Sequence, residues 1–222
     1  MLADTRGQAS INAAGVQHEL GDIGFRREML LQGVPEEGQD VHPEDIHYYD
    51  DPPFDDGNHL AHGVDLAISS KQSANYTAIV SGEVTWTDGR TEIYIQSHPI
   101  IRHMTFTDTM AALDNVRHST PMSSEFFVEA VAYQQVAIEE MERRAVSVQV
   151  MHPIKDKRAR LRVAARYIKN GTVKFPTKGC ELLLTQLFGF SSEKHDDAVD
   201  ALVYLIRGVI GDGIEEAKIH YV

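Results

Sequence analysis

Residues 195–206, His-Asp-Asp-Ala-Val-Asp-Ala-Leu-Val-Tyr-Leu-Ile, place three carboxylates in the first turns of an otherwise apolar helix. Asp197 and Asp200 are three positions apart, so both side chains stand on one face and can converge on a common cation. The same acids also suit a purely structural role. Carboxylates in a first turn complement the helix dipole, and Ser191 or Ser192 upstream is a possible N-cap. The rest of the chain bears on the choice.

With 222 residues the chain is long enough for a substantial core, as one domain or one domain plus an extension. Its 42% hydrophobic and 24% charged residues fit a soluble globular protein, and a net charge of −12 argues against a uniformly basic nucleic-acid coat. A single cysteine, Cys180, excludes an internal disulfide and a cysteine-rich zinc site; its apolar neighbours Leu182, Leu183 and Leu184 suggest a buried thiol. There is no signal-like apolar core at the N-terminus and no apolar run near the roughly 20 residues that span a bilayer, so a cytosolic protein without membrane contact is expected.

Composition divides the chain into an acidic, partly extended arm over 1–56, a main domain over 57–211 and a tail over 212–222. Within the arm, a short helix is expected around 24–32, and the acids are read as solvated. In the main domain, strands are expected over 60–69, 76–86 and 91–101, the last two joined by Thr87-Asp88-Gly89-Arg90, forming an antiparallel meander. A helix over 105–118 follows, then a strand over 125–131, a helix over 134–144, a strand over 146–151 and a basic helix over 156–170 closed by Gly171. Strand, helix, strand in that order implies a parallel crossover. A short extended piece over 173–176 and helices over 179–188 and 195–210 complete an α/β fold: a central mixed five-stranded sheet, three strands antiparallel and the others parallel, flanked by helices.

Acids recur in apolar surroundings. Asp65 lies mid-strand beside Gly63 and Ala67, and Glu129 is the one acid inside an apolar strand segment. Unpaired buried carboxylates are costly, so Asp65, Glu129, Asp197 and Asp200 are read together as ligands of a shared divalent ion. Oxygen-only ligands favour Mg2+ or Mn2+, and two ions roughly 4 Å apart suit phosphodiester hydrolysis. The histidines lack a metal-ligand spacing and are read as ordinary surface or core residues; no nucleophile elbow occurs. Lys155, Lys157, Arg158, Arg160 and Arg162 form a local basic surface. It suits non-specific phosphate contacts, or equally a solvated face paired with the acidic arm.

Several stretches then resemble one family. Gly63-Val64-Asp65-Leu66-Ala67, Tyr76-Thr77-Ala78-Ile79-Val80, Asn170-Gly171-Thr172-Val173-Lys174-Phe175-Pro176, Leu184-Thr185-Gln186-Leu187-Phe188-Gly189-Phe190 and the final helix are similar to the nuclease domain of the large terminase subunit of tailed bacteriophages. The connector stretches 25–32 and 46–50 extend the likeness. The resemblance implies an RNase H-like fold and a metal-dependent endonuclease that cuts concatemeric viral double-stranded DNA during packaging, in the cytoplasm of an infected or lysogenic host. It implies Asp65, Glu129 and Asp197 as the catalytic metal ligands, with Asp196 a rival for the third place, His195 as an orienting residue, and Asp200 matching the second helix acid of the related Holliday-junction resolvases. Asn75 departs from the pattern, standing where many similar sequences carry Asp. Partners implied are an ATPase motor, a small terminase subunit and a portal protein. No Gly-x-x-x-x-Gly-Lys-[Ser/Thr] segment occurs, so ATP hydrolysis by this chain is not expected, and a start inside an acidic connector suggests the nuclease portion of a longer protein. The alternatives are a branched-DNA resolvase and a non-cleaving module that docks on DNA or a portal.

Overall fold

A computed structural model describes residues 40–52, 57–66, 76–119, 122–129, 135–144, 146–151, 156–190 and 196–211. The expected helix over 24–32, the serines 191 and 192, Asn75, Lys155, His195 and the tail lie outside them.

The strands are β1 (His47–Tyr49), β2 (His59–Asp65), β3 (Thr77–Thr87), β4 (Arg90–Ile95), β5 (Ile100–Arg102), β6 (Ser124–Glu129), β7 (Ser147–Met151) and β8 (Val173–Pro176). The helices are α1 (Phe106–His118), α2 (Gln135–Arg143), α3 (Lys157–Lys169), α4 (Glu181–Phe188) and α5 (Asp197–Ile210). One mixed sheet runs β1-β8-β4-β3-β2-β6-β7, with β5 also paired to β3. The meander β2-β3-β4 is antiparallel, whereas β6 is parallel to β2 and β7 parallel to β6. This is the expected mixed α/β arrangement, enlarged from five strands to eight.

The three additional strands have local causes. His98 takes a positive φ of 61° and breaks the expected strand over 91–101 into β4 and β5. The extended piece after Gly171 becomes β8, parallel to β4. Its other edge takes β1 from the acidic arm, where Val41 and Ile46 are buried among the core residues. Asp88 and Gly89 both have positive φ, the conformation a two-residue hairpin turn requires.

Alternation sorts the strand side chains into two cores. Val64, Leu66, Phe126 and Val128 face one side, with Leu113 of α1 and Ile138 of α2. Ala61 and Phe127 face the other, with α5. That helix is buried continuously from Ala198 to Arg207, as a helix apolar all round must be. It packs on β2 and β3, and α3 and α4 pack on it in turn. Among the described residues no helix is long and apolar enough to cross a membrane.

Candidate active site

Asp65 and Glu129 end the neighbouring parallel strands β2 and β6, one position beyond the register pair Val64 and Val128. By alternation both turn away from the Val64 face and toward α5. The helix reaches them because β2 carries glycine at its closest approach. A Cβ on Gly63 would lie 1.9 Å from the Ala201 carbonyl oxygen and 2.5 Å from the Leu205 nitrogen, so no larger residue fits without moving α5. The first turn of α5 is thereby brought beside the two strand ends.

The electrostatics of Asp65 register the gathering. Burial pushes its carboxyl up to about 8, and the charges of Asp200, Asp197 and Glu129 add to the rise, with Lys157 opposing it. All four sequence-selected acids therefore act on one locus. Asp200 is 4% exposed, and burial raises its pKa against the pull of Lys157 and Arg160.

Helix α3 supplies both cations. Its N-cap is Asp156, whose carboxylate accepts from the backbone N–H groups of Arg158 and Ala159. Lys157 Nζ lies 2.9 Å from Asp196 Oδ1 and 2.9 Å from Asp200 Oδ2. Arg160 donates through Nη1 to Glu129 Oε1 at 3.0 Å and to Tyr204 Oη at 2.5 Å, while its Nη2 stands 3.2 Å from Asp200 Oδ1.

Among the described residues no three Asp, Glu, His or Cys side chains are drawn together tightly enough to enclose an ion. The donor set nevertheless fits a hard divalent cation. It is all carboxylate, and Asp65 forms no ion pair among the described residues although its neighbours are anionic. Lys157 and Arg160 take up the oxygens of Asp200 instead.

No protein-family model matches the sequence, and no curated protein matches it. Solved structures do match. The large terminase nuclease from thermophilic phage G20c with bound magnesium superposes with a TM-score of 0.55 at 14% identity, covering 78% of this chain and 98% of that one. The human cytomegalovirus terminase nuclease domain gives 0.55 at 14% identity, covering 78% and 96%. The large terminase of a second thermophilic bacteriophage gives 0.56 at 13% identity, covering 76% of this chain and 44% of that one. The fold is that of a large-terminase nuclease domain. It is the RNase H-like architecture that the sequence resemblance implies.

Within this terminase-nuclease fold the basic stretch behaves differently from a free surface. Arg160 is 4% exposed and engaged through its two Nη atoms by two carboxylates and a tyrosine, so it is not a surface phosphate contact. The physical reason is helical period: Arg160 shares the inward stripe of α3 with Leu161, Ala164 and Ile168. Arg158 and Arg162, on the outward face, both pair through Nε with Asp40 of the arm at 3.0 Å. Further along, Lys169 pairs with Asp45 at 3.5 Å. The arm acids and the helix cations thus meet.

Sequence reasoning missed Tyr204 as a site residue and placed Arg160 on the basic surface, whereas it is buried; Lys157, half exposed, reaches the acids from the solvent side. The spacing of 157, 160, 161, 164 and 168 was the available signal. Among the histidines, His62 is a core residue: fully buried on β2, 2.8 Å from Ser81 Oγ, packed against the Phe126 ring, and lowered by burial to about 4. Cys180 is buried at 1% exposure, as its apolar neighbours suggest.

Proposed function

We propose that this chain is the metal-dependent DNA endonuclease of a phage or prophage packaging terminase, cutting concatemeric double-stranded DNA with little sequence specificity. One observation carries the reading: the charges of Glu129, Asp197 and Asp200, from one strand end and one helix, act together on the partly buried carboxyl of Asp65, which forms no ion pair among the described residues. Asp65, Glu129 and Asp197 would hold two Mg2+ or Mn2+ ions, with Asp200 assisting and Asp196 the rival to Asp197. When bound, such ions would supply activation of a water for in-line attack on a phosphodiester and stabilisation of the leaving 3′-oxygen.

The protein's own part is to gather like charges that would otherwise separate. The parallel register of β2 and β6 places Asp65 and Glu129 side by side, and the Gly63 contact clamps α5 against them. Arg160 ties Glu129 to Asp200 and offsets their repulsion. Lys155, Lys157, Arg158 and Arg162 are the cations we assign to DNA phosphates, contacts that fix position without reading sequence. An ATPase motor, a small terminase subunit and a portal protein are the partners of such a nuclease, in the cytoplasm of the infected or lysogenic host.

The test is plasmid cleavage by the purified chain at low salt in Mn2+, Mg2+ or EDTA, beside Asp65→Asn. Nicking and linearisation are expected with either metal and not with EDTA or the variant. Cleavage of equal rate in the variant would reject the assignment. A strong preference for four-way junctions over linear duplex would instead favour a resolvase, and DNA binding without metal-dependent cleavage a docking module.

A further inference from the structure

We propose that Lys157 is a built-in counter-cation, occupying the acid cluster in place of a divalent ion and having to be displaced before that ion loads. The inference rests on the metal-dependent reading above and concerns how the site is regulated.

Two cations enter the cluster from α3, and their surroundings differ. Arg160 is enclosed: its side chain is 5% exposed, it spans Glu129, Asp200 and Tyr204, and displacing it would strand a guanidinium in the core. Lys157 is half exposed at 50%, and its ammonium bridges Asp196 and Asp200 from the solvent side. An ammonium is a compact point charge on a flexible stem, so it can be released to water at little desolvation cost. The two carboxylates it bridges flank Asp197 in sequence, at the start of α5.

This accounts for two observations together. The acids converge electrostatically, yet no three of them among the described residues close around an ion. Asp200 is engaged through both oxygens, Oδ1 by Arg160 and Oδ2 by Lys157, so each already faces a cation of α3. A metal ion must win the solvent-side oxygen from Lys157. Like charges a few ångströms apart repel, so ammonium and ion cannot share the position.

The test is calorimetric titration of the metal-free protein with Mn2+, comparing wild type, Lys157→Met, Lys157→Arg and Arg143→Ala. Arg143 lies on α2, paired to Glu140, and controls for the general loss of a positive charge. Lys157→Met is expected to bind Mn2+ about tenfold more tightly or better, Lys157→Arg to stay within about threefold of wild type, and Arg143→Ala to be unchanged. The melting temperature in EDTA supplies a second readout. Lys157→Met is expected to melt lower than wild type without metal and to gain more from added Mn2+. Affinity in Lys157→Met equal to or weaker than wild type would overturn the proposal, as would equal tightening in Arg143→Ala. A wild type that binds no Mn2+ while Lys157→Met does would support it. If neither binds, the proposal and the metal reading fall together. The expected ratios without any DNA cleavage would leave the proposal standing and remove the nuclease reading.

Discussion

Arg160 and Asp200 form an ion pair across the contact of α3 with α5, Nη2 to Oδ1 at 3.2 Å, with side chains only 5% and 6% exposed. A pair so enclosed contributes little net stability over an apolar replacement, but removing one member leaves a buried charge without compensation. Arg160→Ala is therefore expected to cost about 3–5 kcal/mol of folding stability. Urea denaturation measures it; a loss below about 1 kcal/mol would mean that water reaches Asp200 freely.

Asp65→Asn should make the metal-free protein more stable while abolishing cleavage. Asp65 titrates near 8 in the fold, above the usual carboxylate value near 4, because burial and then Asp200 and Asp197 disfavour its charge. The folded state therefore holds the proton more tightly than the unfolded chain, and stability falls as pH rises from about 4 to about 8. The variant lacks that loss. Its melting temperature should match wild type below about pH 4 and exceed it above about pH 8. A gap independent of pH would contradict this assignment. Cleavage by wild type should rise with pH up to about 8, since an ion must displace the same proton.

Gly63→Ala tests the seating of α5. Its Cβ would collide with backbone atoms of Ala201 and Leu205, which cannot swing aside as a side-chain tip can. Overpacking of this kind costs about 1–3 kcal/mol or more, and relief by shifting α5 would move Asp197 and Asp200 away from Asp65. Stability and metal affinity should fall together. Full Mn2+ affinity in a destabilised Gly63→Ala protein would separate the two and refute the seating argument.

Asp40→Ala should strengthen DNA binding at low salt. Asp40 occupies the Nε groups of both Arg158 and Arg162, and its removal takes a negative charge from the outward face of α3. A gain of a few-fold near 50 mM salt, vanishing toward 200 mM, is the expected pattern in a filter-binding or anisotropy titration. No gain would place the DNA away from this face.

Most of the fold was legible from local pattern. The Asp88-Gly89 turn and the alternation that puts Asp65 with Gly63 follow from rules acting within a few residues. The break at His98 and the recruitment of β1 were not legible. β1 depends on edge hydrogen bonds to β8, a strand more than 120 residues away in sequence, and the His98 N–H donates to the distant Gly179 carbonyl.

For the site, the sequence by itself determined which carboxylates are out of place: an acid mid-strand, an acid ending an apolar strand, and acids opening an apolar helix, each costly unless gathered. Only the tertiary structure decided what gathers them. Parallel register sets Asp65 beside Glu129, and the absent Cβ of Gly63 admits α5. The structure also decided the cations. Lys157 and Arg160 carry the same charge as Arg158 and Arg162, yet the helical period of 3.6 residues per turn sends the first two to the acids and the other two to the arm. Charge is fixed by sequence, whereas its partner is fixed by which face of a helix the core buries.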